Sequence, residues 1–109
     1  MKKNIKGFTT RCIHDGELID YKYKGAVSPL YLSTAYDYLK VEDHKYPRYF
    51  NTPNQLALSK KISSLENCEK SLIFGSGIAA IFASMFSFLK SSDHVVFQSS
   101  LYGGTINLI

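Results

Sequence analysis

The feature that most constrains this chain is a charge-free stretch from Ser71 to Leu89, interrupted by Gly75-Ser76-Gly77. It is long enough to cross a bilayer, but the glycines and four serines argue against a membrane span. The short apolar run from Ser71 to Phe74 favours a buried strand. Apolar residues then recur at helical spacing as far as Leu89, which predicts a helix that is buried nearly all round.

A second short apolar run, Val95-Val96-Phe97, follows this helix after a polar turn. It predicts a second buried strand, and two strands joined by one crossover helix form a βαβ unit with parallel strands. Thr105 is a candidate N-cap for a further helix that begins at Ile106. Because a sheet needs more than two strands and the sequence stops at Ile109, we expect an α/β domain whose sheet is incomplete.

The chain changes character near residue 52. Glycines and Pro29 interrupt residues 1–51, and no periodic pattern there predicts a helix. A segment of this length without regular elements is unusual inside a compact domain, so it predicts an arm that packs on another subunit. Residues 52–109 begin with Thr52-Pro53-Asn54-Gln55, which combines an N-cap, a proline at the first helical position and a capping box.

Composition and charge disfavour several classes of protein. The chain has 45% apolar and 20% charged residues, which is typical of a globular protein. Its net charge of +4 comes from scattered basic residues, so we expect no nucleic-acid partner. Cys12 and Cys68 form no C-x-x-C pair, and the three histidines lack metal-ligand spacing, so no metal site is predicted. We expect two reduced thiols in a cytoplasmic protein.

Three segments have the chemistry to bind an anion or a flat ring. Ser76, Gly77 and Ile78 open the long helix, where free backbone N–H groups suit a phosphate, although a tight turn capped by Ser76 explains them equally well. Tyr46-Pro47-Arg48 combines a phenol with an arginine fork, but a surface turn rich in aromatics is the simpler interpretation. Tyr102-Gly103-Gly104-Thr105 follows the second predicted strand, where ligands of open α/β sheets bind; a half-buried loop tyrosine is the alternative.

These segments occur in the order seen in one family. Tyr46-Pro47-Arg48-Tyr49-Phe50-Asn51-Thr52-Pro53 is similar to the motif Y-x-R-x-x-N-P-T, with the last two residues exchanged. Phe74-Gly75-Ser76-Gly77-Ile78-Ala79-Ala80 resembles F-S-S-G-M-A-A, and Tyr102-Gly103-Gly104-Thr105 matches Y-G-G-T. Nearly the whole chain therefore resembles the trans-sulfuration enzymes of cysteine and methionine metabolism, which use pyridoxal 5'-phosphate (PLP).

The resemblance implies a fold and a set of roles. Residues 1–51 would be an intersubunit arm, and residues 52–109 the truncated start of the PLP-binding large domain of a fold type I, aminotransferase-like enzyme. The backbone N–H groups of Gly77 and Ile78, with Ser76, would hold the PLP phosphate. Tyr46 and Arg48 would reach that phosphate from a neighbouring subunit. Tyr102 would stack on the pyridine ring as the one catalytic residue within this chain.

The resemblance also implies a complete enzyme that makes or breaks C–S bonds in a sulfur amino acid or an activated homoserine. Cystathionine γ-synthase or cystathionine lyase chemistry is favoured, in a homotetramer built as a dimer of dimers. No lysine here lies in the Ser-x-Thr context of the family's Schiff-base lysine, so we expect this chain to be inactive alone. A non-catalytic truncated remnant and a small phosphate- or nucleotide-binding module built on Gly75-Ser76-Gly77 remain as alternatives.

Overall fold

The computed structural model describes residues 6–39 and 42–109, and within them the chain is helical. The predicted arm of residues 1–51 includes positions 1–5 and 40–41, which lie outside the described residues. The chain divides into two compact units, one ending at Ile73 and one comprising Phe74–Ile109. The helices in chain order are α1 (Phe8–His14), a 3₁₀ turn (Pro47–Tyr49), α2 (Pro53–Leu65), α3 (Gly77–Phe88) and α4 (Gly103–Leu108).

Helix α2 begins where the sequence predicts it. Pro53 occupies the first helical position, and Thr52, which is buried, is the N-cap. The Gln55 side-chain oxygen accepts a hydrogen bond from the backbone N–H of Thr52 at 3.2 Å and from its hydroxyl at 2.8 Å. The capping-box prediction is therefore confirmed, and this local chemistry fixes the start of the helix.

Helix α1 lies in the segment for which no helix is predicted, so that prediction is wrong at this position. Seven residues are too few to be stable alone in water, and α1 is held on α2 by polar contacts. Lys61 donates to the carbonyls of Cys12 and Ile13 at 2.8 and 3.0 Å, and Arg11 donates to the carbonyl of Ser64. Each helix thus places a cationic side chain at the C-terminal end of the other helix, where the helix dipole is negative.

Gly16 allows the chain to pass directly against α2 after α1 ends. Its φ angle is +79°, in the left-handed region that favours glycine. A Cβ atom at this position would lie 2.4 Å from the carbonyl oxygen of Ala57 and 2.8 Å from the backbone nitrogen of Lys61. Both the backbone conformation and the close approach therefore require glycine.

The two predicted strands do not form in the described residues. Ser71 instead pairs with α2, where its hydroxyl donates to the carbonyl of Ser59 at 2.7 Å. Val95-Val96-Phe97 is exposed, with Val96 at 98% exposure. The apolar runs have the composition of strands, but a strand needs a neighbour for its backbone hydrogen bonds, and none is present in the described part of the chain. The predicted βαβ unit and incomplete sheet are therefore wrong for these residues.

Helix α3 forms at the predicted place, but its predicted burial is wrong. None of its residues is buried, and Phe88 is 84% exposed. The rings of Phe82 and Phe86 stack on each other with centroids 4.2 Å apart, a local contact that covers only part of the apolar surface. No helix in the described residues is long and apolar enough to cross a membrane.

Helix α4 begins three residues earlier than predicted. Tyr102 is its N-cap and Gly103 its first residue. The carbonyl of Tyr102 accepts from the N–H groups of Thr105 and Ile106 at 2.8 and 3.1 Å. Thr105 therefore lies inside the helix, buried at 6% exposure, and the prediction that it caps a helix starting at Ile106 is wrong.

The described residues contain no buried apolar side chain, so neither unit has a hydrophobic core of its own. Large apolar side chains are exposed in both units, among them Leu32 at 83%, Phe88 at 84% and Val96 at 98%. Apolar surface of this extent is typical of a chain that packs on further polypeptide.

We predict that Gly16→Ala separates α1 from α2. The left-handed backbone alone costs a residue with a Cβ about 1–2 kcal/mol, and the contact with Ala57 adds to it. Amide hydrogen exchange should therefore be faster throughout α1. Exchange in α1 at the wild-type rate in Gly16→Ala would contradict the role of Gly16.

We also predict that acid releases α1. Hydrogen bonds from Lys6, at 2.7 Å, and from Ser64 hold the pKa of Asp15 below its ordinary value. The contribution of Asp15 is therefore complete above the ordinary carboxyl pKa of about 3.9 and is lost as the pH falls through the lowered value. NMR shifts of the α1 backbone should move toward unfolded values below about pH 4, and Asp15→Asn should abolish most of this pH dependence.

Candidate functional site

The start of α3 leaves two backbone donors without a protein acceptor. Ser76 is the N-cap, and its side-chain oxygen accepts from the N–H of Ala79 at 3.2 Å. Its carbonyl accepts from the N–H of Ala80 at 3.2 Å. The N–H groups of Gly77 and Ile78 precede Ala80, whose N–H is the first to bond within the helix, so they have no helical acceptor and donate to no other group in the described residues. A helix of 12 residues also places a partial positive charge here.

Space is open in front of these donors. A Cβ atom on Gly75 or Gly77 would meet nothing within 4 Å, and both glycines are exposed. The serine cap and the free N–H pair occur together, so the turn that Ser76 caps also has the properties of a phosphate site. The sequence could not decide between these two interpretations, and the geometry makes them compatible.

Tyr102 lies near the side chain of Ile78, a residue of the first turn of α3. Its side chain is 76% exposed, and the edge of its ring lies over the Cα of Gly104 at the start of α4. The side chain of Ile78 borders the same glycine from α3. The structure therefore brings Ile78, with its free N–H, and the Tyr102 ring to one place.

Tyr46 and Arg48 lie together in the first unit, on the 3₁₀ turn that precedes α2. The ring of Tyr46 contacts the ring of Tyr49 edge to face, with centroids 5.2 Å apart, and it borders a surface cavity of about 440 Å³. Arg48 is exposed and forms no ion pair within the described residues. Its guanidinium is therefore available to an external anion.

Two residues that the sequence did not single out as site residues hold this turn in shape. The side-chain oxygen of Asn51 accepts from the backbone N–H of Tyr46 at 2.9 Å, and its nitrogen donates to the carbonyl of His44 at 2.7 Å. Gln55 donates to the carbonyl of Pro47 at 3.0 Å. The signal for Asn51 is its residue type, because asparagine commonly bonds nearby backbone in turns. Gln55 is recognisable only as a capping residue.

The six predicted site residues thus fall into two groups. The second unit contains Ser76, Gly77, Ile78 and Tyr102, and it places the Ile78 side chain near the Tyr102 ring, while Tyr46 and Arg48 share one turn of the first unit. Within residues 6–39 and 42–109, no three His, Cys, Asp or Glu side chains lie close enough to hold a metal ion. The chemistry that both groups offer is recognition of a phosphate and of a flat ring.

Comparison with known proteins is consistent with this chemistry. A family model described as Cys/Met metabolism PLP-dependent enzyme matches residues 9–109. The chain is 35% identical over 104 residues to a probable cystathionine gamma-synthase of Herpetosiphon aurantiacus, covering 94% of this chain and 32% of that protein. It is 40% identical over 103 residues to the cystathionine gamma-lyase of Bacillus subtilis, covering 92% and 27%.

A third relative has a different substrate in its name. The canavanine gamma-lyase of Pseudomonas canavaninivorans is 32% identical over 112 residues, covering 93% of this chain and 28% of that protein. No solved structure matches this chain. The chain spans about a third or less of the length of these three curated relatives, from 27% to 32%.

We predict that Asn51→Ala loosens the turn that carries Tyr46 and Arg48. The Tyr46 amide loses its acceptor, and one such hydrogen bond contributes about 1 kcal/mol, so its hydrogen exchange should accelerate by about fivefold. Asn51→Asp keeps the acceptor for Tyr46 and loses only the donor to His44. Protection of the Tyr46 amide that survives Asn51→Ala would show that Asn51 does not hold the turn.

Proposed function

Because this chain belongs to the family of Cys/Met metabolism PLP-dependent enzymes, we propose that it forms the N-terminal part of a fold type I enzyme acting on C–S bonds. Residues 1–51 are the intersubunit arm, and residues 52–109 begin the PLP-binding large domain. The substrate is a sulfur amino acid or an activated homoserine. The names of the two cystathionine relatives favour cystathionine chemistry, carried out in the cytoplasm.

The observation that carries this proposal is the pair of free N–H groups on Gly77 and Ile78. A phosphate dianion in front of them satisfies both donors and the partial positive charge of α3. The Ser76 oxygen already accepts from Ala79, so its hydroxyl hydrogen is free to donate to a phosphate oxygen. The open space at Gly75 and Gly77 lets the anion approach the backbone directly.

Tyr46 and Arg48 complete the phosphate site from a second copy of the chain. Asn51 and Gln55 fix the backbone of their turn, which limits the entropy lost when the guanidinium binds. The exposed Arg48 presents two N–H groups that match two phosphate oxygens. This exchange of arms requires a homo-oligomer, for which a dimer of dimers is the proposed arrangement.

Tyr102 holds the ring end of the cofactor. Its exposed ring would hold the pyridine ring of PLP by aromatic stacking, while Gly77 and Ile78 would hold the phosphate. When bound, PLP withdraws electrons from the substrate Cα, which makes bond cleavage at the neighbouring carbons feasible. This chain contributes positioning of that group, and the Schiff-base lysine must come from elsewhere.

We predict that the N–H of Gly77 is needed for PLP binding. Gly77→Pro removes this donor while keeping a helix start, because proline suits the first helical position and Ser76 already has the extended backbone that precedes proline. The PLP dissociation constant should rise about ten- to a hundredfold, as expected for loss of a hydrogen bond to a charged group. Equilibrium dialysis of the 109-residue chain measures it.

Two controls accompany this measurement. Gly77→Ala keeps the N–H and places its Cβ in open space, so it should bind PLP like the wild-type chain. Pyridoxal, which lacks the phosphate, should bind weakly and show no difference between the two variants. Equal PLP affinity of Gly77→Pro and Gly77→Ala would contradict the assignment of the phosphate to this N–H group.

Mixing two variants tests the exchange of arms. Arg48→Ala and Gly77→Pro should each bind PLP poorly, but in a mixed dimer one site receives the intact turn from one copy and the intact arginine from the other. An equal mixture should therefore regain about a quarter of the wild-type sites. No gain on mixing would place Arg48 on its own chain, and normal binding by Arg48→Ala would favour a small phosphate-binding module instead.

A further inference from the structure

We infer that Gly104 is the positioning residue that sets the Tyr102 ring at its place beside the phosphate-binding turn. This inference rests on the proposed function and deepens it, because it concerns the position of the Tyr102 ring relative to the phosphate-binding turn of the same site. It separates the two adjacent glycines, Gly103 and Gly104, which the sequence presents as equivalent.

The ring of Tyr102 occupies the space that a side chain at Gly104 would need. A Cβ atom at Gly104 would lie 2.8 Å from Cε1 and 3.3 Å from Cδ1 of Tyr102. Non-bonded carbon atoms pack at about 3.5–4.0 Å, so the ring could not stay where it is. The Gly104 backbone has no left-handed φ angle, so the displacement of the Tyr102 ring is the main consequence of an alanine there.

The side chain of Ile78 also lies against the Cα of Gly104. Its Cδ1 atom would be 3.3 Å from a Cβ at Gly104. Ile78 also carries one of the two free N–H donors at the start of α3, so Gly104 contacts both the Tyr102 ring and a residue of the phosphate-binding turn. The absent side chain at Gly104 therefore allows the Tyr102 ring to lie beside this residue.

Gly103 provides a matched comparison within the same helix. A Cβ atom at Gly103 would meet nothing within 4 Å. Alanine at either position gives the same gain in helix propensity, about 1 kcal/mol at most. A difference between the two variants therefore reports the contact with Tyr102 and not the stability of α4.

The experiment measures the PLP affinity of Gly104→Ala and Gly103→Ala, each with Tyr102 intact and with Tyr102→Ala. With Tyr102 intact, Gly104→Ala should weaken binding by about two- to tenfold, the range expected for one aromatic stacking contact, and Gly103→Ala should have no effect. With Tyr102→Ala, Gly104→Ala should cause no further loss. A loss that is the same in both backgrounds, or equal for the two glycines, would overturn the inference and leave the proposed function in place.

A second measurement on the chain without PLP decides the case independently. The δ1 methyl proton resonance of Ile78 should carry a ring-current shift from Tyr102, which Tyr102→Ala removes. Gly104→Ala should change this resonance in the same direction, and Gly103→Ala should leave it in place. An Ile78 methyl resonance that responds to neither Tyr102→Ala nor Gly104→Ala would overturn the inference even if PLP binds normally.

Discussion

The start of α3 is the constraint on which the rest of this molecule depends. A helix cannot satisfy its own first N–H groups, and here the serine cap takes only the N–H of Ala79. The donors of Gly77 and Ile78 are left facing open space. Free donors of this kind are tolerated at a surface where water can pair with them, and the same exposure makes them accessible to an anion.

In the first unit, side-chain hydrogen bonds hold the shape of the 3₁₀ turn. Its 3₁₀ turn contributes no apolar burial, and it keeps its shape through the side-chain amides of Asn51 and Gln55. Side-chain hydrogen bonds to the backbone do not depend on a surrounding core. The backbone position of Arg48 is therefore fixed on a turn that contains no buried apolar side chain.

How much the sequence reveals depends on whether each element is determined locally. The starts of α2 and α3 follow from Thr52, Gln55 and Ser76, whose capping groups lie within three residues of the groups they bind. The predicted strand at Val95-Val96-Phe97 and the burial of α3 depend on neighbours far along a chain or outside it, and these are not among the described residues. Helix α1 escaped prediction for the same reason, because its contacts to α2 are tertiary. The segments at Tyr46, Gly75 and Tyr102 predicted the family together, because three motifs had to occur in the same order.

The reciprocal hydrogen bonds from cationic side chains of α1 and α2 have a consequence for the order in which the chain can fold. Arg11 and Lys61 reach carbonyls 53 and 49 positions away, and every group involved precedes Asn67 in the chain. The pairing of these two helices can therefore form once the chain has been synthesised as far as Ser64. Since the contacts are polar, the first unit needs no apolar partner to form them.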